Sequence, residues 1–436
     1  MKKSLIAIAG VVLALATTTA VFASQHAGGG NAAAASVAGS SSGVIVVDWN
    51  KELVKIVNTP GAQPATIHPT RSFAILHVAI YDAVVSITGR SEPYLFSLNA
   101  PSGARPDVAA AEAGHDVLLA LYPSFKVGLD QQLADELATI PAGTSKVQGI
   151  AVGHLAAAFA LASRANDGSN VTPPTIPAGT QPGQYRPAPP SFTPPVFTQW
   201  PGVTPFVLRS ADQFRPAPPT PVTSPAYAEA LNEVKSLGQN TSTTRTPDQT
   251  VIAKFWPGPI WVTWNEIAET SALNHHTDLA RTAQLFALLN LSFADTTIAF
   301  YDAKYQYLVW RPITAIRAGG SGTPAMAGDP TWTPLLGTAP DPSYPGAHSA
   351  ISAAGAAVLA KYFGDRNSLS VTSDVLPGVV RHFDSYSAAA TEAGLSRIYG
   401  GVHTRLDHVA GVELGNDVAG FVLAESRSSG FGFIGS

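Results

Sequence analysis

The chain has 436 residues, 45% of them hydrophobic, so it is long enough to bury a large core in one or two domains. Only 13% of the residues are charged, the net charge is −4, and there is no stripe of basic residues of the kind that binds nucleic acid. The lack of cysteine excludes disulfides and lipid anchors on cysteine, so the core alone must hold the fold together.

The N-terminal residues have the pattern of a secretory signal peptide. Lys2-Lys3 forms a basic start, an apolar run extends from Leu5 to Ala16, and Val21-Phe22-Ala23 is a small-x-small cleavage site. We therefore expect residues 1–23 to be a cleaved signal peptide and the mature protein to be exported, to the periplasm or outside the cell. An uncleaved membrane anchor is the alternative interpretation of the same run.

A flexible leader and one large domain are expected to follow. Residues 24–43 are rich in Gly, Ala and Ser, which is typical of a flexible segment. Residues 44–436 contain no uninterrupted apolar run of about 18 residues, so we expect no membrane insertion of the mature chain. The sequence leaves the oligomeric state open.

Hydrophobic periodicity predicts helices throughout this domain. Apolar residues in its first part recur at intervals of three and four, and no alternating strand pattern competes with them. After a segment beginning at Val44, helices are expected at 71–88, 108–121, 125–139, 144–165, 225–237, 247–255, 264–272, 278–308, 348–362, between 371 and 396, and at 407–426. Ser292 is a candidate break in the long helix 278–308.

The segment 172–225 interrupts the helical pattern. It holds sixteen of the 35 prolines, a density that forbids both helix and central strand. A disordered linker is one interpretation. Six aromatic residues in the segment favour the other, an ordered excursion packed across the helices, because linkers rarely carry so much surface to bury.

One internal similarity relates the two parts of the domain. FAILHVAIYD (Phe73–Asp82) aligns without gaps on FALLNLSFAD (Phe286–Asp295), with identities at Phe, Ala, Leu and Asp. Two helical bundles of similar design would explain it, and so would chance similarity between buried helices. The chemistry lies in the later part, at about 247–426.

Lys304 and Arg311 form the first of three polar clusters. They are seven residues apart, or two helical turns, so we expect both on the same face of one helix. Their neighbours are mostly aromatic and apolar, and a cation in such surroundings needs an anionic partner. Arginine offers a rigid fork for two oxygens and lysine a compact charge, so the pair favours an oxyanion site over a solvated surface pair.

The second cluster is Pro345-Gly346-Ala347-His348, which leads into a predicted helix. Backbone N–H groups at a helix N-terminus form a ready anion cradle, and small residues allow the backbone to approach the anion closely. His348 at the helix start is placed to exchange protons with a bound group. A structural histidine is the alternative interpretation when this cluster is considered alone.

The third cluster consists of Arg397, His403 and Asp407. Gly400-Gly401 is expected to turn the chain so that Arg397 and His403 face one point. Asp407 lies four residues after His403 and would hold the proton of one ring nitrogen, which leaves the other nitrogen as a nucleophile or ligand. An ordinary surface pair at i, i+4 is the alternative.

In this order the clusters read K-x6-RP, P-x-x-H and SR-x5-H-x3-D, which resembles the active-site signature of vanadium-dependent haloperoxidases and the related phosphatidic-acid-phosphatase-type acid phosphatases. The resemblance to bacterial haloperoxidase-like sequences extends over most of the mature chain. It includes YRPAPP (Tyr185–Pro190), QFRPAPP (Gln213–Pro219), TWNEIA (Thr263–Ala268) and DAKYQYLVWRPITAIR (Asp302–Arg317). It implies an all-α fold of two four-helix-bundle-type halves joined by the long Pro-rich connection.

The resemblance also implies a role for each cluster. Lys304, Arg311 and Arg397 would bind the oxygens of vanadate, or of phosphate in the same site. His403 would be the axial ligand of vanadium, or the phosphoryl-accepting nucleophile of a phosphatase. His348 would be the acid–base group, and Asp407 would steady His403.

The second cluster departs from the usual Pro-Ser-Gly-His of this signature. Gly346 stands where a serine hydroxyl would touch the oxyanion, and Ala347 stands where glycine is usual. Loss of one hydrogen bond to a charged group costs about 1.5–3 kcal/mol, or roughly ten- to a hundredfold in affinity. The backbone N–H groups of Gly346 and Ala347 remain, so oxyanion binding is expected to be weakened rather than abolished.

Three functions are compatible with these residues. The extended similarity favours vanadate-dependent oxidation of halide by hydrogen peroxide to hypohalous acid, with a small organic acceptor and no nucleic acid as partner. A secreted acid phosphatase acting through a phosphohistidine is the alternative. The third is a non-catalytic oxyanion-binding homologue silenced by the change at Gly346-Ala347.

Overall fold

The structure, a computed structural model, describes residues 42–95, 99–319 and 327–430. The predicted signal peptide 1–23 and all but the last two residues of the predicted leader lie outside the described residues. Over the described ranges the chain forms thirteen α-helices and a single two-stranded sheet. The prediction of an all-α fold is therefore confirmed.

The helices are α1 (Val44–Asn58), α2 (Pro69–Thr88), α3 (Pro106–Leu121), α4 (Lys126–Ala138), α5 (Thr144–Ser163), α6 (Pro225–Leu237), α7 (Pro247–Phe255), α8 (Ile260–Asn274), α9 (Leu279–Tyr307), α10 (Pro312–Ala318), α11 (Ala347–Phe363), α12 (Tyr386–Tyr399) and α13 (Arg405–Ser428). The strands are β1 (Arg366–Thr372) and β2 (Val380–Ser385).

Two long apolar helices, α2 and α9, lie at the centre of the fold. Helix α2 packs against α3, α5 and α9, and helix α9 packs against α11 and α13. Helices α2, α5 and α9 are each long and apolar enough to span a membrane. The most apolar 18-residue stretches of α2 and α9, however, are 89% and 100% buried within the protein. The corresponding window of α5 is only 33% buried. Core packing therefore accounts for the apolar character of α2 and α9.

Helix α9 is continuous, so the candidate break at Ser292 is wrong. The Ser292 hydroxyl donates to the backbone carbonyl of Leu288 at 2.8 Å and stays within the helix. Twenty-nine residues thus run without interruption to the start of the first polar cluster. Helices α11, α12 and α13 pack on one another beside α9 and complete the second half.

The Pro-rich segment is an ordered excursion, as its aromatic content indicated. Trp200 is 1% exposed and Tyr185 2% exposed, so both are part of the interior. The backbone N–H of Tyr185 donates to the carbonyl of Leu308 at 2.6 Å, which ties the segment to the end of α9.

The internal similarity corresponds to a shared structural device. Asp82 of α2 is buried and accepts the backbone N–H groups of Tyr94 and Leu95 at 2.6 and 2.9 Å. Asp295 of α9, its counterpart in the alignment, is also buried and accepts the N–H groups of residues 206–208 at 2.6–2.8 Å. Each half therefore uses a buried carboxylate to hold an irregular segment, which favours two bundles of similar design over chance.

The strand hairpin was not predicted. The helix expected between 371 and 396 begins only at Tyr386, and β1 pairs with β2 antiparallel before it. Burial alternates along both strands, and the apolar side chains of Leu369, Val371 and Phe383 lie on the less exposed positions. The period of two was visible in the sequence of β1, where polar and apolar residues alternate from Ser368 to Thr372, but not in that of β2.

Candidate active site

Lys304 and Arg311 do not share a helix, so that expectation is wrong. Helix α9 ends at Tyr307, and Leu308 then takes a left-handed conformation with φ 48°. Arg311 is the N-cap residue of α10, where Pro312 begins a new helix. The turn at Leu308 nevertheless keeps both cations together, because both side chains are buried and reach the same carboxylate.

That carboxylate belongs to Asp341, which the sequence analysis missed. Its Oδ2 lies 3.2 Å from Lys304 Nζ, its Oδ1 accepts from Arg311 Nη2, and its backbone carbonyl accepts from Arg311 Nε at 2.7 Å. Burial alone would raise the pKa of Asp341, but the charges of Lys304 and Arg311 lower it to about 2. The signal for Asp341 was indirect: two buried cations require an anionic partner.

Lys304 is held in an apolar position at the end of α9. Its ammonium donates to the backbone carbonyl of Pro342 and, at 3.3 Å, to that of Ser343. Burial lowers the pKa of Lys304 to about 8, while the negative charge of Asp341 opposes this shift. The side chain is therefore a cation at neutral pH and loses its charge in mildly alkaline solution.

The second cluster forms the N-terminus of α11, with Gly346 as the N-cap residue. The N–H of Gly346 donates to the carbonyl of Asp407 at 2.8 Å and is not free, contrary to expectation. The backbone N–H of Ala350 is the first to bond back to Gly346, so the N–H groups of residues 347–349 have no partner within the helix. These three groups, rather than Gly346, are the available anion cradle.

His348 is neutral and half-buried at this helix start. Its Nε2 donates to the carbonyl of Trp256 at 3.1 Å, so Nδ1 carries the lone pair. Burial and the positive charge of Arg397 hold the pKa of His348 well below its usual range. The ring can therefore accept a proton at Nδ1 only when a bound group stabilises the charged form.

The turn after α12 brings Arg397 and His403 together. The carbonyl of Arg397 accepts the backbone N–H groups of Val402 and His403 at 3.0 and 3.3 Å. Gly401 has φ 81°, and a Cβ at that position would lie 2.5 Å from the carbonyl oxygen of Gly238. Only glycine fits at Gly401, which supports the prediction that Gly400-Gly401 turns the chain between Arg397 and His403.

His403 is oriented by Asp407, and the two do not form an ordinary surface pair. His403 Nδ1 lies 3.3 Å from Asp407 Oδ2, and both side chains are about 5% exposed or less. Asp407 also accepts from the N–H of Thr404 at 2.7 Å, in the capping box that begins α13. The Ser343 hydroxyl donates to the same carboxylate at 2.8 Å. These contacts keep the carboxylate in place independently of the ring.

The other ring nitrogen of His403 is available for chemistry. Nε2 accepts from Arg311 Nη1 at 3.1 Å. Burial and the charge of Arg311 lower the pKa of His403 to about 3, so the ring is neutral, with its proton on Nδ1 facing Asp407. The lone pair on Nε2 can serve as a nucleophile or as a ligand.

Arg397 provides the clearest sign of a missing anion. Its side chain is buried, yet among the described residues its Nε and Nη1 have no hydrogen-bond partner. An unsatisfied buried donor costs about 1–3 kcal/mol, more when it is charged. Burial and the charge of Arg311 lower the pKa of Arg397 to about 10, so it remains a cation at neutral pH. A tetrahedral oxyanion would satisfy both nitrogens.

The seven residues thus form one electrostatic unit. Three cations face two carboxylates, which leaves one net positive charge, and both imidazoles are neutral. Ser349, the residue after His348, carries a hydroxyl that is bonded to His408 Nδ1 at 2.9 Å. The arrangement suits an anion with several oxygens beside a free imidazole nitrogen.

Comparisons with known proteins find similarity to vanadium-dependent haloperoxidases. The sequence-family model for the second helical-bundle domain of vanadium chloroperoxidase matches residues 284–429, a range that includes all three clusters. Vanadium chloroperoxidase of Curvularia inaequalis is 26% identical over 246 residues, 42% of this chain. The 246 residues are the length of the alignment, and the match spans only 38% of the length of that relative.

Similarity to solved structures covers more of the chain. The crystal structure described as the first bacterial vanadium-dependent iodoperoxidase superposes with a TM-score of 0.74 and 27% identity, covering 88% of this chain and 96% of the other. A holo-type bacterial vanadium-dependent chloroperoxidase superposes with a TM-score of 0.65 over 86% of this chain and 97% of the other. At 16% identity, the second similarity shows the fold alone.

Proposed function

We propose that this chain oxidises halide with hydrogen peroxide to hypohalous acid. The chain belongs to the superfamily of vanadium-dependent haloperoxidases and phosphatidic-acid-phosphatase-type acid phosphatases. The observation that carries the proposal is the buried Arg397, with two unpartnered nitrogens, close to a neutral His403. A small organic molecule would be the acceptor of the product. The residues present fit a vanadate cofactor, and phosphate fits the same donors.

Different residues would contact different atoms of the oxyanion. Lys304, Arg311 and Arg397 would bind its oxygens, and His403 Nε2 would bind the vanadium. Bound vanadate would supply a Lewis acid that activates peroxide. The cations stabilise negative charge in a site that excludes bulk water, where each charge acts more strongly than at a surface.

The two imidazoles have separate tasks. His348 would accept and return a proton at Nδ1, because its Nε2 is held by the carbonyl of Trp256. Asp407 keeps the proton of His403 on Nδ1, so Nε2 remains free of a proton.

We also propose that the mature chain is exported to the periplasm or the extracellular space. The basic start, the apolar run and the small-x-small site in residues 1–23 support this. Residues 44–436 would then act as one domain, without insertion into a membrane, and 24–43 as its leader.

The purified protein, soaked with vanadate and given bromide or iodide with peroxide, should halogenate an indicator dye. The same preparation should hydrolyse p-nitrophenyl phosphate only slowly. Phosphate-ester hydrolysis without halogenation would overturn the proposal in favour of a phosphatase acting through phosphorylated His403. Oxyanion binding without either turnover would show a non-catalytic homologue.

Replacing Gly346 with serine should tighten vanadate binding by about tenfold, since one hydrogen bond to a charged group contributes about 1.5–3 kcal/mol. The backbone at Gly346, with φ −74° and ψ 111°, accepts any L-residue. A Cβ there would lie 3.1 Å from the carbonyl oxygen of Asp407, so part of the gain is lost to a small shift. Titration of the apoenzyme with vanadate measures the change.

Gly346→Ala is the matched control, because it adds the same Cβ without the hydroxyl. It should bind vanadate no more tightly than the parent. Equal affinity of the serine and alanine variants would contradict a role for the missing hydroxyl.

Oxyanion affinity should be steady between pH 6 and 8 and fall at higher pH by about ten- to a hundredfold, the effect of one charged hydrogen bond. Lys304, whose pKa burial lowers to about 8, is charged below that pH and neutral above it. A bound anion favours the charged form, so the midpoint should lie above 8. Sulfate, whose own charge is constant in this range, is the probe for calorimetry.

Lys304→Arg is the control for this pH dependence, because a guanidinium loses its proton at a higher pH than an ammonium in the same surroundings. Its sulfate affinity should decline much less between pH 8 and 10. An unchanged alkaline decline would assign the titration to another group.

A further inference from the structure

A second cluster of titratable side chains lies in the first half of the fold, outside the active site. We call it the α3–α5 cluster. It consists of Glu112, His115 and Asp116 of α3 with His154 of α5. Donor atoms of the three α3 residues all lie within 4.8 Å of one another. His154 Nδ1 lies 3.4 Å from Glu112 Oε1 and 2.5 Å from Asp116 Oδ2.

We propose that the α3–α5 cluster binds a divalent transition-metal ion of the zinc class, which links α3 to α5. The proposal does not depend on halide chemistry. Two imidazoles and two carboxylates are the mixed nitrogen and oxygen donors that Zn²⁺ prefers, whereas Mg²⁺ and Ca²⁺ favour oxygen alone.

The spacing of the donors suits a small ion. Tetrahedral coordination with zinc–ligand bonds of about 2.1 Å separates neighbouring donors by about 3.4 Å. The distance between His154 Nδ1 and Glu112 Oε1 is 3.4 Å. His115 Nδ1 and Asp116 Oδ1 are now 3.0 Å apart, and His154 Nδ1 and Asp116 Oδ2 are 2.5 Å apart. To admit the ion, these two separations would need to open by about 0.4 and 0.9 Å.

His115 is also supported in the way that metal-bound histidines usually are. Its Nδ1 faces the cluster, and its Nε2 lies 3.0 Å from Asp130 Oδ1 on α4. Asp130 in turn accepts from Lys126 Nζ at 2.6 Å. A carboxylate on the outer nitrogen keeps the proton there and leaves the inner nitrogen free to ligate.

The packing of α3 on α5 explains why the donors meet. A Cβ at Gly153 would lie 2.6 Å from the Cβ of Glu112, so only glycine lets the two helices come this close. The next residue, His154, is thereby brought against both carboxylates.

A cation would also relieve repulsion within the cluster. Glu112 and Asp116 are one helical turn apart, and Glu112 is 5% exposed. A divalent ion would place positive charge directly between the two carboxylates.

Calorimetric titration of the chelator-treated full chain with Zn²⁺ tests the proposal. We expect one high-affinity ion per chain and a higher melting temperature. His154→Ala and Glu112→Gln should each weaken Zn²⁺ binding by more than about a hundredfold, and Asp130→Asn, which changes only the outer partner, by about 10–100-fold. His154 is 53% exposed, so its replacement should leave the fold intact.

His382→Ala is the control for adventitious zinc, because His382 is an exposed imidazole that lies 3.0 Å from the Ser370 hydroxyl and outside the α3–α5 cluster. It should leave the affinity unchanged. The proposal is overturned if Zn²⁺ does not bind, if His154→Ala and Glu112→Gln bind it as the parent does, or if Mg²⁺ binds equally well.

Discussion

Replacing His403 with alanine should reduce turnover by at least about 10³-fold, a loss typical of removing a nucleophile or an essential ligand. Among the described residues, His403 presents the imidazole nitrogen that lies beside Arg311, 3.1 Å from its Nη1. The expected result holds for halide oxidation and for phosphate-ester hydrolysis alike, because both chemistries use Nε2. Steady-state rates with vanadate or with a phosphate ester measure the loss.

The same variant should remain folded. Asp407 keeps its bonds to the N–H of Thr404 and to the Ser343 hydroxyl, so no buried carboxylate is left without a partner. The melting temperature should change little more than that of the surface control His382→Ala, which should retain full activity. Retention of more than a tenth of the parent rate by His403→Ala would remove the ring from the mechanism.

Replacing Arg397 with alanine should weaken oxyanion binding by about 10²–10⁴-fold. Two nitrogens of this side chain are unpartnered, and each hydrogen bond from a cation to an anion contributes about 1.5–3 kcal/mol. Without the anion, the variant should be at least as stable as the parent, since a buried cation with unsatisfied donors has been removed. Vanadate or phosphate titration and thermal unfolding of the anion-free protein give the two readouts.

Arg405→Ala is the matched control. Arg405 is close in sequence but half-exposed, and its Nε donates to Glu233 at 3.0 Å on the surface. Its loss should leave oxyanion affinity unchanged, because exposed ion pairs contribute about 1 kcal/mol or less and this one does not face the site. A large loss of stability in anion-free Arg397→Ala would instead assign Arg397 a structural role.

Local signals predicted much of the fold correctly. Helices α6 and α7 begin and end where expected, because Ser224 and Thr246 cap them and a proline occupies the first helical position of each. The prolines and aromatics of the segment 172–225 were likewise sufficient to predict an ordered, irregular path.

The errors arose where tertiary contacts decide. Nothing local shows that Leu308 adopts a left-handed turn, which separates Lys304 from Arg311. The Gly346 N–H is taken by the carbonyl of Asp407, and that contact depends on the packing of α13 against the start of α11.

Asp341 was missed for the same reason. It is 30 residues or more from the cations that it pairs with, so no spacing rule points to it. Residue types and short spacings thus identified the donors of the site, whereas its internal counter-ion required the three-dimensional arrangement.

The two buried carboxylates of the central helices couple each irregular segment to the stability of the whole molecule. If residues 206–208 detached, Asp295 would remain in the core without the three N–H groups that offset its burial. Local opening of this segment therefore carries a penalty of at least about 1–3 kcal/mol, the cost of leaving a buried polar group unsatisfied. In native-state hydrogen exchange, the amides of residues 206–208 should exchange more slowly than other amides of the proline-rich segment, although residues 206–208 themselves lie in neither helix nor strand.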